Sequence, residues 1–295
     1  MNCFSTFTGI GLHDLGLQWA GMNIIGQCER NAFCLTTIKR HWPDVPKWRD
    51  IRNVKRESIL RRCGLLPDLI TGGFPCQEIS IAVSGARNGI GTKKRPTKKS
   101  GLFWQLHRVI SECRPRWICL ENVPNLRVEG SDRVLAALEG TGYACWPLLV
   151  QAFHVGAPIE RERVWIVGLK TDGVKIPEDI VGQMLASPDS NAAIGPYVPF
   201  GPSQVGQQMG VAEGKRVNVA ERQAWQPSQA SRQRWPKGQG KSQHEWEPSR
   251  IELGMGRMPH GGTARMVRQA LGNANPPQVP EMIGRAIMRV NELLG

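Results

Sequence analysis

The chain has 295 residues, long enough for one large domain with a substantial core and a smaller one beside it. Its 38 Lys and Arg against 25 Asp and Glu leave a net charge of +13, which points to an anionic partner, nucleic acid ahead of a membrane surface. Eight cysteines form no CxxC pair and lie mostly in apolar runs, so no metal site or disulfide framework is indicated and reduced thiols in a cytoplasmic protein are expected. The first predicted strand begins at about residue 3, which leaves no room for a signal peptide, and no run of about 18 apolar residues is available to span a membrane.

Residues 2–7 predict a strand, Thr8-Gly9-Ile10-Gly11 a glycine turn, and Leu12 to Ala20 a helix whose uneven apolar face is set by Leu12, Leu15, Gln18 and Trp19. Strand, glycine turn and helix N-terminus together make a nucleotide-type cradle, although a GxG alone is equally a plain tight turn. Met22 to Cys28 predicts a second strand ending at Glu29. That carboxylate either binds ribose hydroxyls, as such folds do there, or caps the next helix, Asn31 to His41. Asp50 follows a short strand position around Pro46 to Trp48. It either accepts a hydrogen bond from an adenine amino group or caps a turn.

Pro67 to Thr71 reads as a buried parallel strand, feeding Gly72-Gly73-Phe74-Pro75-Cys76-Gln77. Two glycines permit a sharp turn or close approach to a ligand, and Pro75 stiffens the residue beside a thiol. Cys76 at the carboxyl end of a strand is either a nucleophile or a buried small hydrophobe. The stretch after it, to Ser100, carries six cations (Arg87, Lys93, Lys94, Arg95, Lys98 and Lys99), with no acid from Arg87 to Lys99. A basic, glycine-rich loop over 20 residues long reads as a lid that closes on a phosphate backbone, or as a solvated loop. Leu102 to Cys113 predicts a helix. Trp117 to Leu120 predicts a strand ending in Glu121-Asn122-Val123, which aims a carboxylate at the same crevice as Cys76. Gly142 to Phe153 and Val164 to Leu169 predict two further strands, and Arg161 and Arg163 between them share a face at period two. From Leu185 to Leu253 no leucine intervenes, and this Gly-, Pro-, Ser- and Gln-rich segment cannot build much core alone. Helices return at Ala264 to Leu271 and Gln278 to Leu294, around Gly272-Asn273-Ala274-Asn275.

In order and spacing these motifs resemble the cytosine-C5 DNA methyltransferases, over residues 2–169 and 254–294. The resemblance implies an α/β, Rossmann-like fold dependent on S-adenosylmethionine: a mostly parallel twisted sheet with helices on both faces. It divides the chain into a catalytic domain (1–169 and 254–295) and a loop-rich target-recognition region (170–253). It makes Phe7, Thr8, Gly9, Ile10, Gly11, Glu29, Arg30, Asp50, Ile51, Gly73, Pro75, Leu102, Asn273 and Ala274 the cofactor site, and Cys76, Glu121, Arg161 and Arg163 the catalytic group. Gln77, Ser80 and the basic loop would contact DNA. Four positions depart from the family pattern: Ser5 where an acid is common, Leu12 for a second glycine, Ile159 for the glutamine of QxRxR, and Asn275 for a usual valine.

The implied reaction is thiolate addition to C6 of a flipped cytosine in double-stranded DNA, which makes C5 nucleophilic toward the methylsulfonium. A monomer without metal is expected, in a bacterial or phage setting, acting with a cognate restriction endonuclease or alone. Two alternatives share these residues: a structured RNA as substrate, or a DNA-binding protein that no longer turns over.

Overall fold

The computed structural model describes residues 1–75, 100–155, 157, 161–172 and 274–295. Among these residues, seven strands form one sheet: β1 (Asn2–Thr6), β2 (Asn23–Cys28), β3 (Lys47–Trp48), β4 (Leu69–Gly73), β5 (Trp117–Asn122), β6 (Tyr143–Gln151) and β7 (Glu162–Lys170). Their order is β3-β2-β1-β4-β5-β7-β6. The pairs from β3 through β5 are parallel, and β7 runs antiparallel to both β5 and β6. The expected Rossmann-like, mostly parallel α/β sheet is therefore present.

Helices cover both faces, as a sheet apolar on both sides requires. On one side α3 (Arg56–Cys63), α4 (Phe103–Cys113) and α6 (Ser131–Glu139) bury Ile59, Phe103, Leu106, Val109, Ile110, Val134 and Leu138 against Phe4, Ile70, Ile118 and Ile166. On the other, α1 (Leu12–Trp19) and the C-terminal α7 (Gln278–Leu293) bury Leu17, Ile283, Ile287 and Val290 against Cys3, Leu69, Cys119 and Val167. A Cβ on Gly16 would strike the Pro277 carbonyl, so glycine there lets α1 and α7 touch. The other α-helices among the described residues are α2 (Ala32–His41) and the single turn α5 (Leu126–Glu129).

The face of α1 differs from the expectation. Asp14, Gly16 and Leu17 are buried, whereas Gln18 and Trp19 are exposed. A polar cluster under the glycine loop accounts for it: Asp14 accepts from Gln27 Nε2 at 2.6 Å with Ser5 close by, so an acidic residue points inward and rotates the helix. The helix α3 and the pair α5–α6 are absent from the sequence reading. The predicted helix at 264–271 and the target-recognition region beyond Asp172 lie outside the described residues.

Candidate active site

The strand order reverses at β1 and β4, and the loops at the carboxyl ends of these strands enclose a cavity of about 570 Å³. Its first wall is the loop after β1. Phe7 has φ 51°, a left-handed backbone rare outside glycine, and Gly9 follows at φ 59°. Two backbone amides of the turn bond to the end of the next strand. Thr8 N donates to the Cys28 carbonyl at 3.2 Å, and Gly9 N donates to Glu29 Oε2 at 2.7 Å. The other Glu29 oxygen accepts Asn31 N at 2.6 Å. Asn31, not Glu29, caps α2, taking the Phe33 and Cys34 amides on its side-chain oxygen. Glu29 is thus a brace between glycine loop and helix, and it lines the cavity with Arg30 beside it.

Asp50 lines the cavity and also caps a turn. Its carboxylate accepts Arg52 N at 3.0 Å and pairs with the Arg52 guanidinium at 2.7 Å. The hydrogen bonds and charge of Arg52 hold this carboxyl below its ordinary range. From α4, Arg108 donates to the carbonyls of Ile51 and Val54, fixing the turn that carries Asp50. Ile51 and Leu102 add apolar surface to the same wall.

The second wall holds the charged pair. Glu121, at the end of β5, reaches Arg163 Nε with Oε1 at 3.0 Å. A Cβ on Gly73 would lie 2.5 Å from Glu121 Oε2, so glycine at the end of β4 gives the acid its room. Burial pushes the Glu121 carboxyl above its ordinary range, while Arg163, Asn275 and Arg161 pull the other way. Asn122 donates from Nδ2 to the Phe74 carbonyl at 3.1 Å, which pins the backbone two residues before Cys76. Phe74 packs against Phe103 at a tilt of 52°, ring centroids 5.2 Å apart. Gly72 is glycine because a Cβ would run into the Thr6 carbonyl.

Most of the expected residues converge here: Phe7, Thr8, Gly9, Ile10, Glu29, Arg30, Asp50, Ile51, Gly73, Pro75, Leu102, Glu121, Arg163 and Ala274 all line the one cavity. Gly11 does not. It stands behind the loop as the residue before α1, at φ 87°, where a Cβ would strike the Trp42 ring. Arg161 also sits off the wall, donating from Nε to Asn275 Oδ1 at 3.1 Å. Cys76, Gln77, Ser80, Arg87, Lys93, Lys94, Arg95, Lys98, Lys99, Ile159 and Asn273 lie outside the described residues.

Sequence reading missed His13 and Arg49, which line the cavity; Phe74 and Asn275, which also line it, fell within the motifs but were not assigned to the site. His13 Nε2 is buried without a hydrogen-bond partner among the described residues, and its ring meets Trp165 edge-on at 4.7 Å. Burial lowers its pKa to about 4, so the ring is neutral near pH 7. Its place on the first turn after a glycine loop was the only signal available.

A family model for C-5 cytosine-specific DNA methylases matches residues 1–243. The chain belongs to this family. Among curated relatives, it is 33% identical over 167 residues to the type II methyltransferase M1.ScrFI of Lactococcus lactis subsp. cremoris, covering 55% of this chain and 40% of that one. It is 26% identical over 341 aligned positions to M.PspPI of Psychrobacter sp. strain TA137, covering 96% and 78%. The matched part thus spans less than half of the Lactococcus protein. A crystal structure of a prophage DNA modification methyltransferase from E. coli aligns at a TM-score of 0.50 and 24% identity over 61% of this chain and 50% of that one, a likeness of fold.

Proposed function

We propose that this chain transfers a methyl group from S-adenosylmethionine to C5 of a cytosine flipped out of a specific double-stranded DNA sequence. The observation that carries the reading is the joining of two chemistries in one cavity. A glycine loop and two carboxylates line one wall, and a buried acid–arginine pair lines the other, beside the strand end that leads to Cys76.

The residues present fit the cofactor. The Glu29 carboxylate retains lone pairs beyond its two backbone partners and suits ribose hydroxyls. Asp50 at the cavity wall suits an adenine amino group, between the apolar side chains of Ile51 and Leu102. When bound, S-adenosylmethionine supplies an electrophilic methyl group.

The rest falls to the protein and the base. Cys76, as thiolate, bonds to cytosine C6, and the ring gains electron density at C5 and N3. Glu121, with its pKa raised by burial, is suited to hold a proton toward N3 and relieve that charge. Arg163 fixes the acid at 3.0 Å and adds positive charge to the site. After methyl transfer, loss of the C5 proton breaks the Cys76–C6 bond and restores the ring. The basic stretch Arg87 to Lys99 is assigned to closure over the flipped base, and residues 170–253 to target choice. A role in a restriction–modification system, alongside a cognate endonuclease, follows from the kind of relatives found.

Bisulfite sequencing of DNA from a host expressing the chain tests the reading. Protected cytosines within one short sequence support it. Uniform conversion, with the protein shown to be folded and present, refutes it.

A further inference from the structure

We propose that Asn275 is a positioning residue for Glu121, its amide bridging the acid to Arg161 and so tying the start of the C-terminal segment to the base-contacting side of the cavity. This rests on the reading of Glu121 as the acid that meets the base. Asn275 lines the cavity and accepts the Arg161 Nε hydrogen at 3.1 Å on Oδ1. Asn275 and Glu121 line the same cavity, and the Asn275 side chain acts on the Glu121 carboxyl as a polar partner that lowers its pKa. The other side of that carboxyl is held by Arg163 Nε at 3.0 Å. An amide both accepts and donates, so one side chain serves the arginine and the acid together. A valine, usual at this position in the family pattern, does neither.

The bridge has a chemical consequence. A donor beside a carboxylate favours its ionised form, whereas burial favours the neutral one. The charged groups facing Glu121 are Arg163 on β7 and Arg161 just before it. Among the described residues, Gly73 approaches it from the β4 side, and on β5 itself the Cys119 thiol lies two residues back. Asn275 is therefore the neutral group that sets how far the acid's proton affinity rises above that of an ordinary carboxyl. It exerts this from a segment more than 150 residues away in sequence.

The test follows the Glu121 carboxyl by carbon-13 NMR against pH in the full chain, assigned with Glu121→Gln, for wild type, Asn275→Val and Asn275→Asp. Both substitutions are expected to move the titration upward by about half a pH unit or more, valine by removing a donor and aspartate by placing a like charge beside the acid. The kcat/KM profile for DNA methylation should move its alkaline limb the same way, where a packing role would lower the rate alike at every pH. If the valine variant does not fold, the near-isosteric aspartate variant decides. A titration unmoved in folded variants overturns the proposal. The NMR readout needs no turnover, so absence of methyl transfer by the wild type would count against the methyltransferase reading and not against the bridge.

Discussion

Glu121 Oε1 and Arg163 Nε stand 3.0 Å apart on adjacent strands, their side chains 13% and 17% exposed. Strand polarity makes this contact possible. β7 runs antiparallel to β5, so its first residues lie at the edge where the parallel strands end. Had β7 been parallel, Arg163 would sit at the opposite edge of the sheet, a strand length from the acid. Breaking a largely buried pair leaves an uncompensated charge. Arg163→Ala is expected to destabilise the protein by about 3 kcal/mol in urea unfolding. Glu121→Gln, which removes the acid but keeps its shape and an oxygen that can accept from Arg163, should cost less stability than Arg163→Ala and lose about a hundredfold or more in methyl transfer.

Glu29 supports the glycine loop by two short hydrogen bonds, to Gly9 N and Asn31 N. Glu29→Ala removes both and the carboxylate offered to the cofactor. S-adenosylmethionine affinity by titration calorimetry should fall by about tenfold or more, while the far-ultraviolet circular dichroism stays unchanged. Unchanged affinity would show that the loop needs no brace.

Two buried groups give opposite pH dependences. Burial lifts the Asp14 carboxyl to about 6, against nearby Ser5, the hydrogen bond from Gln27 and the charge of Lys47. A folded pKa above the unfolded 3.8 means that its contribution to stability is present below 3.8 and lost as pH rises through about 6. His13, lowered to about 4 by burial, favours the fold above 6.5, and that contribution is lost as pH falls through about 4. Asp14→Asn should therefore gain roughly 1 kcal/mol relative to wild type between pH 5 and 7.5, and His13→Phe should gain as pH falls from 7 to 5. Urea midpoints across that range check both signs.

Glycine at 73 is required by Glu121, whose Oε2 occupies the space a Cβ would take. Gly73→Ala should shift the acid and cut methyl transfer by at least about tenfold, with a smaller change in stability. An alanine variant with wild-type kinetics would show that the carboxylate is free to relocate.

The fold was legible because buried parallel strands such as Leu69–Gly73 and Trp117–Asn122 are continuous apolar runs ended by glycine or acid. The helix α3 escaped notice because Ile59 is its only buried residue and its polar face offers no period. At α1, periodicity misled: Asp14 is buried by a side-chain network that no hydrophobic pattern records. Motif spacing brought Glu121 and Arg163 to one cavity, but not the bridge from Asn275, because a contact across 114 residues between Arg161 and Asn275 leaves no local trace. Ser5, which stands where the family often has an acid, is hydrogen-bonded to Thr8 at 3.1 Å and lies close to Asp14, so a carboxylate is still present beneath the loop, carried by α1.

The central claim is that Cys76 bonds covalently to cytosine. The most direct measurement is denaturing electrophoresis of the protein after incubation with S-adenosylmethionine and DNA in which 5-fluorocytosine replaces cytosine. Fluorine cannot leave C5 as a proton does, so the adduct should persist for the wild type and be absent for Cys76→Ser. An equally strong adduct with the serine variant, or none with a wild type shown to bind both cofactor and DNA, would contradict it.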